Sequence, residues 1–368
     1  MAFYWWGMAV LANRFDPYSI MAFYVLSVYL FAFALFSKTL KPENLKGLVS
    51  WIRAAALVQL GLMGLQWFSL DPLFKDVPME AVSKWTLSGR PAMAGFLDNS
   101  MISGTFLAVV SPFFLAPRWW VALVPLLVGI FLTGSEGSLV TALVTIGFTA
   151  WRIYGKRRWW RAVWVSGSLA SAGAAAWLIL AQRAATDHWL LIQGNSRILV
   201  WGATLKLIFL DWVNCLTGWG WSKFSPAFQG IVKHWEIVPA NMKWAHTHND
   251  YLQLWFETGL VGLLLAFGFV VHTLVRVVKK ASPEASWWLG AGLSWLIVSF
   301  WSFPNQLGGM NVLGLVIWVG LWILGTPSIR VSQPIAKIEV RPNKEISNGS
   351  RQADELPALV PETSGPRY

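Results

Sequence analysis

Cysteine is almost missing from this chain: Cys215 stands alone among 368 residues. That excludes an internal disulfide and any cysteine-built metal site. Charged residues make up only 13% of the chain, and there are five histidines. No glycine-rich phosphate loop, zinc signature or Ser-His-Asp arrangement stands out, so nucleotide-driven transport has no support. The short alternating segments of a closed β-barrel are absent as well. The N-terminus has neither the charged region nor the cleavage site of a secretory signal, so Phe3 to Ala12 reads as part of the mature membrane domain.

What is present is apolar. Hydrophobic residues make up 55% of the chain and fall in blocks. The blocks run roughly 15–24 residues, against the ~20 that a helix needs to span hydrocarbon. The expected fold is all-α, a polytopic membrane helix bundle of about ten transmembrane segments. They fall near 2–13, 17–37, 48–70, 101–116, 119–134, 137–151, 162–181, 251–275, 286–303 and 309–325. Residues 1–325 then form the membrane domain. Residues 326–368, rich in Pro, Ser, Glu and Arg and without periodicity, read as a disordered cytoplasmic tail.

The net charge of +11 invites a nucleic-acid reading, but the cations sit in short loops between apolar blocks. Lys38, Lys41, Lys46, Arg118, Arg152, Lys156, Arg157, Arg158, Arg161, Arg276, Lys279 and Lys280 alternate correctly if all their loops are cytoplasmic. The pairs Trp5-Trp6, Trp119-Trp120, Trp159-Trp160 and Trp287-Trp288 would mark the headgroup level on that side. Two longer loops, about 71–100 and 182–250, then lie outside the cytoplasm. In the second, Asn195-Ser196 could cap a helix from Arg197 to about Phe209, with Arg197 and Trp201 on one face.

The most informative stretch joins the large loop to a membrane segment: His246-Thr-His248-Asn249-Asp250, then Glu257-Thr-Gly259-Leu-Val-Gly262. Ionisable groups are costly at that depth, so their presence points to a site. Asn249 or Asp250 can cap the helix. His248 suits a general base at the mouth of a cavity, because its ordinary pKa lies near ambient pH. His246 could orient or replace it. The two imidazoles could also begin a metal site, but no third ligand is evident. Glu257 lies two turns below Asp250, as a packed carboxylate or a site residue. Arg197 could bind a phosphate bidentately. Arg90 and Asn99 flank the fourth segment as a polar loop and helix cap. Arg53 lies near a segment end, where snorkelling to the headgroups accounts for it.

Four pieces in fixed order resemble the O-antigen ligase and polysaccharide polymerase superfamily of bacterial membrane proteins. They are Gly95-Phe-Leu-Asp-Asn99, Thr133-Gly-Ser-Glu-Gly137, Asn195-Ser-Arg197-Ile-Leu-Val-Trp201 running on to Leu216-Thr-Gly218-Trp-Gly220, and His248-Asn249-Asp-Tyr-Leu252 with Glu257-Thr-Gly259-Leu-Val-Gly262. The resemblance implies a glycosyltransferase of polysaccharide or lipopolysaccharide biosynthesis in the cell envelope. It implies a multi-pass protein of the bacterial inner membrane, with the large loop extracytoplasmic and the tail cytoplasmic. The implied donor is a glycan on undecaprenyl pyrophosphate. The implied acceptor is lipid A–core for a ligase or another lipid-linked glycan for a polymerase. Membrane lipids surround the protein, and nucleic acid is not a partner. No metal or nucleotide cofactor is required in the family.

On the same resemblance, His248 is the base for the acceptor hydroxyl and Arg197 holds the pyrophosphate. Arg90, Asn99, Glu136, Trp201, His246, Asn249 and Glu257 are candidate substrate contacts. One departure stands out. The family's usual Ser-Arg-Gly is Ser135-Glu136-Gly137 here, which reverses a charge expected at the pyrophosphate. Two other readings stay open: a lipid-linked glycan transporter or flippase coupled through carboxylates such as Glu257, and an inactive assembly partner in polysaccharide export.

Overall fold

The computed structural model describes residues 17–68, 70, 93–97, 99–155, 166–167, 173, 189–221, 223–232, 246–302, 304 and 308–326. Among the described residues every regular element is helical. In chain order these are α1 (Pro17–Thr39), α2 (Asn44–Trp67), α3 (Ser100–Val110), α4 (Leu123–Leu132), α5 (Glu136–Tyr154), α6 (Trp189–Ile208), α7 (Trp212–Thr217), α8 (Phe224–Val232), α9 (Asp250–Val278), α10 (Pro283–Trp301) and α11 (Gly308–Gly325). The described residues all fall in one unit, Met1–Thr326. The expected disordered tail lies outside the described residues, as do the segments near 2–13 and 162–181.

Among the described residues two helices, α2 and α9, are long and apolar enough to cross a membrane. Shorter apolar helices run over Ser27–Thr39, Ser100–Phe114, Trp120–Leu132 and Met310–Gly325. A bundle of ten full spans is therefore not what the described residues display. Helix α9 breaks at Gly259, which adopts φ 70° and ψ 179°. Beyond the break, residues 260–278 rise roughly 28 Å at 1.5 Å per residue, close to the ~30 Å of a hydrocarbon layer. Val261, Leu264, Val271 and Val275 on that stretch are exposed, as are Trp51 and Val58 on α2. So much outward apolar surface suits lipid better than water.

The core forms where α3, α5 and α10 pack together, with Trp288, Trp295, Phe113, Phe114 and Leu107 fully buried. Threonines and serines stitch it: Ser294 donates to the Thr145 hydroxyl at 2.7 Å, and Thr145, Thr149 and Thr273 bond back one turn along their own helices. A second cluster joins α6, α7, α8 and the start of α9 through Val200, Leu207, Cys215, Phe224, Phe228 and Phe256.

Two sequence expectations change here. Trp288 is 1% exposed and stacks edge-on against Phe113, so it is core and not a headgroup marker. Trp120 is exposed, whereas the Trp5-Trp6 and Trp159-Trp160 pairs lie outside the described residues. Arg53 does not snorkel. It is buried, donates from Nε and Nη2 to the Phe113 carbonyl at 2.9 and 2.5 Å, and lies between the Trp119 and Trp287 rings. Carbonyls freed where the Ser111–Phe114 turn tightens need donors, and a guanidinium supplies several at once.

The helix directions sort the molecule into two ends. Helices α3, α5 and α9 begin, and α10 finishes, at the end that holds His248. At the opposite end Arg152 donates to the Val278 and Lys280 carbonyls. Lys280 lies there too, its Nζ donating to the Thr326 carbonyl at 3.3 Å.

Candidate functional site

Thr247, buried, organises the histidine loop. Its amide donates to Gln253 Oε1 at 3.0 Å, its hydroxyl donates to the Asn249 carbonyl at 2.6 Å, and the Asn249 amide donates back to that hydroxyl at 3.1 Å. Asn249 then caps α9, its Oδ1 accepting from the Tyr251 and Leu252 amides. Between these two clamps the chain turns sharply, and His248 takes φ 56°. It is the one non-glycine at positive φ among the described residues. Such strain persists only where the surroundings impose it, and it collects at functional sites. The Nδ1 atoms of His246 and His248 and Oδ1 of Asp250 are buried. Burial pushes the His246 pKa below the ordinary histidine value, because it penalises the charged ring.

Helix α6 brings the guanidinium. The sequence suggests a helix starting at Arg197 with Asn195-Ser196 as its cap. The helix instead starts at Trp189, and Asn195 and Ser196 lie inside it. Arg197 and Trp201 still share a face. The Trp201 indole donates to the Thr247 carbonyl at 2.9 Å, and its ring meets Phe300 edge-on at 5.5 Å. Arg197 Nη1 donates to the Trp301 carbonyl at 3.0 Å, and Nη2 lies 3.5 Å from Met101 Sδ. The Arg197 helix thus docks on the peptide that immediately precedes His248. One turn of helix, roughly 6 Å of rise, separates the docking residue from Arg197.

The other motif pieces close around this junction. Asn99 is exposed and caps α3 by accepting from the Met101 and Ile102 amides. The preceding turn is held from α2: Gln66 Oε1 accepts from the Ala94 and Gly95 amides, and Gln59 accepts from the Phe96 amide while donating to the Ala94 carbonyl. Glu136 opens α5, where a carboxylate complements the helix dipole. Its neighbour Gly137 abuts the Trp301 ring, where an added Cβ would stand 3.2 Å from Cγ. Trp301 therefore contacts both Gly137 and Arg197. Arg90 lies outside the described residues.

Glu257 is 3% exposed and accepts from Gln253 Nε2 at 2.8 Å. Gln253 in turn holds the Thr247 amide, so the carboxylate supports the histidine loop through one intermediate side chain. Just below, the Trp219 and Gly220 amides donate to the Phe256 and Glu257 carbonyls. Gly218 and Gly259, both at positive φ, make this backbone crossing possible. A Cβ on Gly218 would collide with the Glu257 carbonyl, and one on Gly259 with the Leu216 carbonyl. Trp219 stacks on Phe256 above them.

Sequence reasoning misses Trp301, Thr247, Gln253, Gln59 and Gln66. The glutamines on α2 carry a usable signal, since amides inside an apolar segment need partners. Trp301 carries none, because its carbonyl is what Arg197 uses. Among the described residues no group of three or more His, Cys, Asp or Glu side chains converges as a metal site.

No curated protein matched the chain. Residues 121–267 match the family described as O-antigen ligase. Its members are glycosyltransferase-like ligases and polymerases, integral to the bacterial inner membrane. Three of the four resemblance motifs lie wholly or largely in the matched segment, and all four meet around Arg197, Trp301 and Thr247. The match and the motifs together support the O-antigen ligase and polysaccharide polymerase superfamily over residues 121–267.

Proposed function

We propose that the protein moves a glycan from undecaprenyl pyrophosphate to an acceptor hydroxyl at the outer face of the inner membrane. The bond from the Trp201 indole to the Thr247 carbonyl carries this reading, because it joins the arginine helix to the histidine loop at one end of the bundle. His248 accepts the proton of the acceptor hydroxyl. The oxygen attacks the anomeric carbon, and the bond from that carbon to the pyrophosphate oxygen breaks. The leaving lipid pyrophosphate keeps the electron pair, and Arg197 stabilises the charge as it grows. The contacts to Trp301 and Met101 hold the guanidinium in place before substrate arrives, which favours such stabilisation.

Glu136 does not supply the family's positive charge, so Arg197 bears more of the pyrophosphate, with Arg90 as a second candidate. Trp201, Asn99, Asn249 and His246 shape the pocket, and Glu257 acts through Gln253. A transporter coupled by Glu257 has less support, since that carboxylate is engaged in holding the histidine loop.

The test is deletion in the native host, with complementation by the wild type or by His248→Ala, and gel analysis of surface glycans. The wild type restores long glycan chains and His248→Ala does not, although it reaches the membrane in equal amount. Residual single repeats on the core indicate a polymerase, and bare core with accumulated lipid-linked polymer a ligase. Full restoration by His248→Ala refutes the reading.

A further inference from the structure

A cavity of about 680 Å³ lies at the end of the bundle opposite His248. Its volume is within the ~300–1,000 Å³ of ordinary ligand pockets. Its polar lining includes Glu43, Lys46, Arg53, Ser282, Glu284 and Trp287. Arg53 is 8% exposed, and its Nε and Nη2 are spent on the Phe113 carbonyl, which leaves Nη1 for another acceptor. The indole N–H of Trp287 is buried without a hydrogen-bond partner among the described residues. A buried donor left idle is unfavourable, so a ligand that satisfies it is favoured. The formal charges of the lining cancel, Lys46 and Arg53 against Glu43 and Glu284.

We propose that this cavity binds the headgroup of a zwitterionic phospholipid of the phosphoethanolamine type. The phosphate meets Arg53, Lys46 and the Trp287 N–H, and the ammonium meets Glu43 and Glu284. A purely anionic headgroup would satisfy the cations and face two carboxylates. The acyl chains lie along the apolar outside of the bundle, where α2 exposes Trp51 and Val58. The site is separate from the His248 end and does not depend on the transfer reaction. Helix α10 runs from Glu284 at the cavity to Trp301 beside Arg197, so the two ends share a scaffold.

The full-length protein, purified in detergent and stripped of lipid, is offered phosphatidylethanolamine, phosphatidylglycerol, diacylglycerol of the same chains, or inorganic phosphate. Adducts are counted by native mass spectrometry. Phosphatidylethanolamine is retained best. Trp287→Phe keeps a ring against Arg53 but removes the N–H, and Lys46→Gln removes a charge at the cavity. Each lowers retention about fivefold, the effect of losing roughly one hydrogen bond. Trp120→Phe, outside the cavity, leaves it unchanged. Should Trp287→Phe fail to fold, Lys46→Gln carries the comparison alone. Equal retention of diacylglycerol or phosphatidylglycerol, occupancy by inorganic phosphate in preference to lipid, or indifference to the soluble cavity variants overturns the proposal.

Discussion

The Trp201 indole N–H donates to the Thr247 carbonyl across 46 residues of sequence, at 2.9 Å. One bond thereby ties the helix that carries Arg197 to the loop that carries His248, which belong to different motifs. Trp201→Phe keeps most of the ring contact with Phe300 and loses the bond, worth about 1 kcal/mol. Transfer is expected to fall roughly fivefold with little change in thermal stability. Initial rates with purified protein and lipid-linked donor check this, and an unchanged rate would mean that the loop holds its place without α6.

Gly259 sets the break in α9 and receives the Leu216–Gly218 backbone. Its φ of 70° strains any side chain, and a Cβ would strike the Leu216 carbonyl. Gly259→Ala should cost at least about 1–3 kcal/mol and shift the unfolding midpoint down by several degrees. Gly268→Ala, with open space around it, should be neutral or gain up to about 1 kcal/mol of helix propensity. Thermal unfolding in detergent separates the two. Equal stability of both variants would contradict the crossing.

Glu257 accepts from Gln253, and on the proposed positioning role its charge should matter less than its acceptor oxygen. Glu257→Gln preserves an acceptor and should keep most of the turnover. Glu257→Leu frees Gln253, loosens Thr247 and lowers kcat about tenfold or more, with KM little changed. If Glu257→Gln is as damaging as Glu257→Leu, the carboxylate acts directly on substrate or coupling ion, and the positioning role is wrong.

His246 is held neutral by burial, with its pKa below the ordinary value near 6.5. The unfolded chain therefore binds a proton that the folded one resists. Stability is full above the unfolded pKa and is lost as pH falls from there toward the folded pKa. Between pH 7 and pH 5 the wild type should lose more thermal stability than His246→Gln. Parallel pH profiles would show that this ring does not titrate on unfolding in that window.

Much of the site is legible in the sequence. Asn99 and Asn249 announce helix starts through local chemistry, since a short polar side chain ahead of an apolar run satisfies free amides. His248 and Arg197 stand out through motif spacing. What escapes is long-range or backbone in nature. The Trp301 carbonyl that receives Arg197 has no side-chain signature. Gly259 looks like a helix-packing glycine, and only the crossing with Gly218 reveals the break. Arg53 looks like a snorkelling cation because sequence cannot bring the Phe113 carbonyl and two indoles to it. Helix α6 starts ahead of the expected Asn195-Ser196 cap, because capping residues also occur inside helices when tertiary contacts override local preference.

The central claim is that His248 and Arg197 serve one bound sugar-phosphate. Single-turnover transfer from an undecaprenyl-pyrophosphate glycan, measured for the wild type, His248→Ala, Arg197→Ala and the double variant, tests it most directly. Each single change should remove nearly all transfer, and the double variant should be little worse than His248→Ala, as for groups that act as a unit. Wild-type rates in either single variant, or losses that simply multiply in the double, would contradict it.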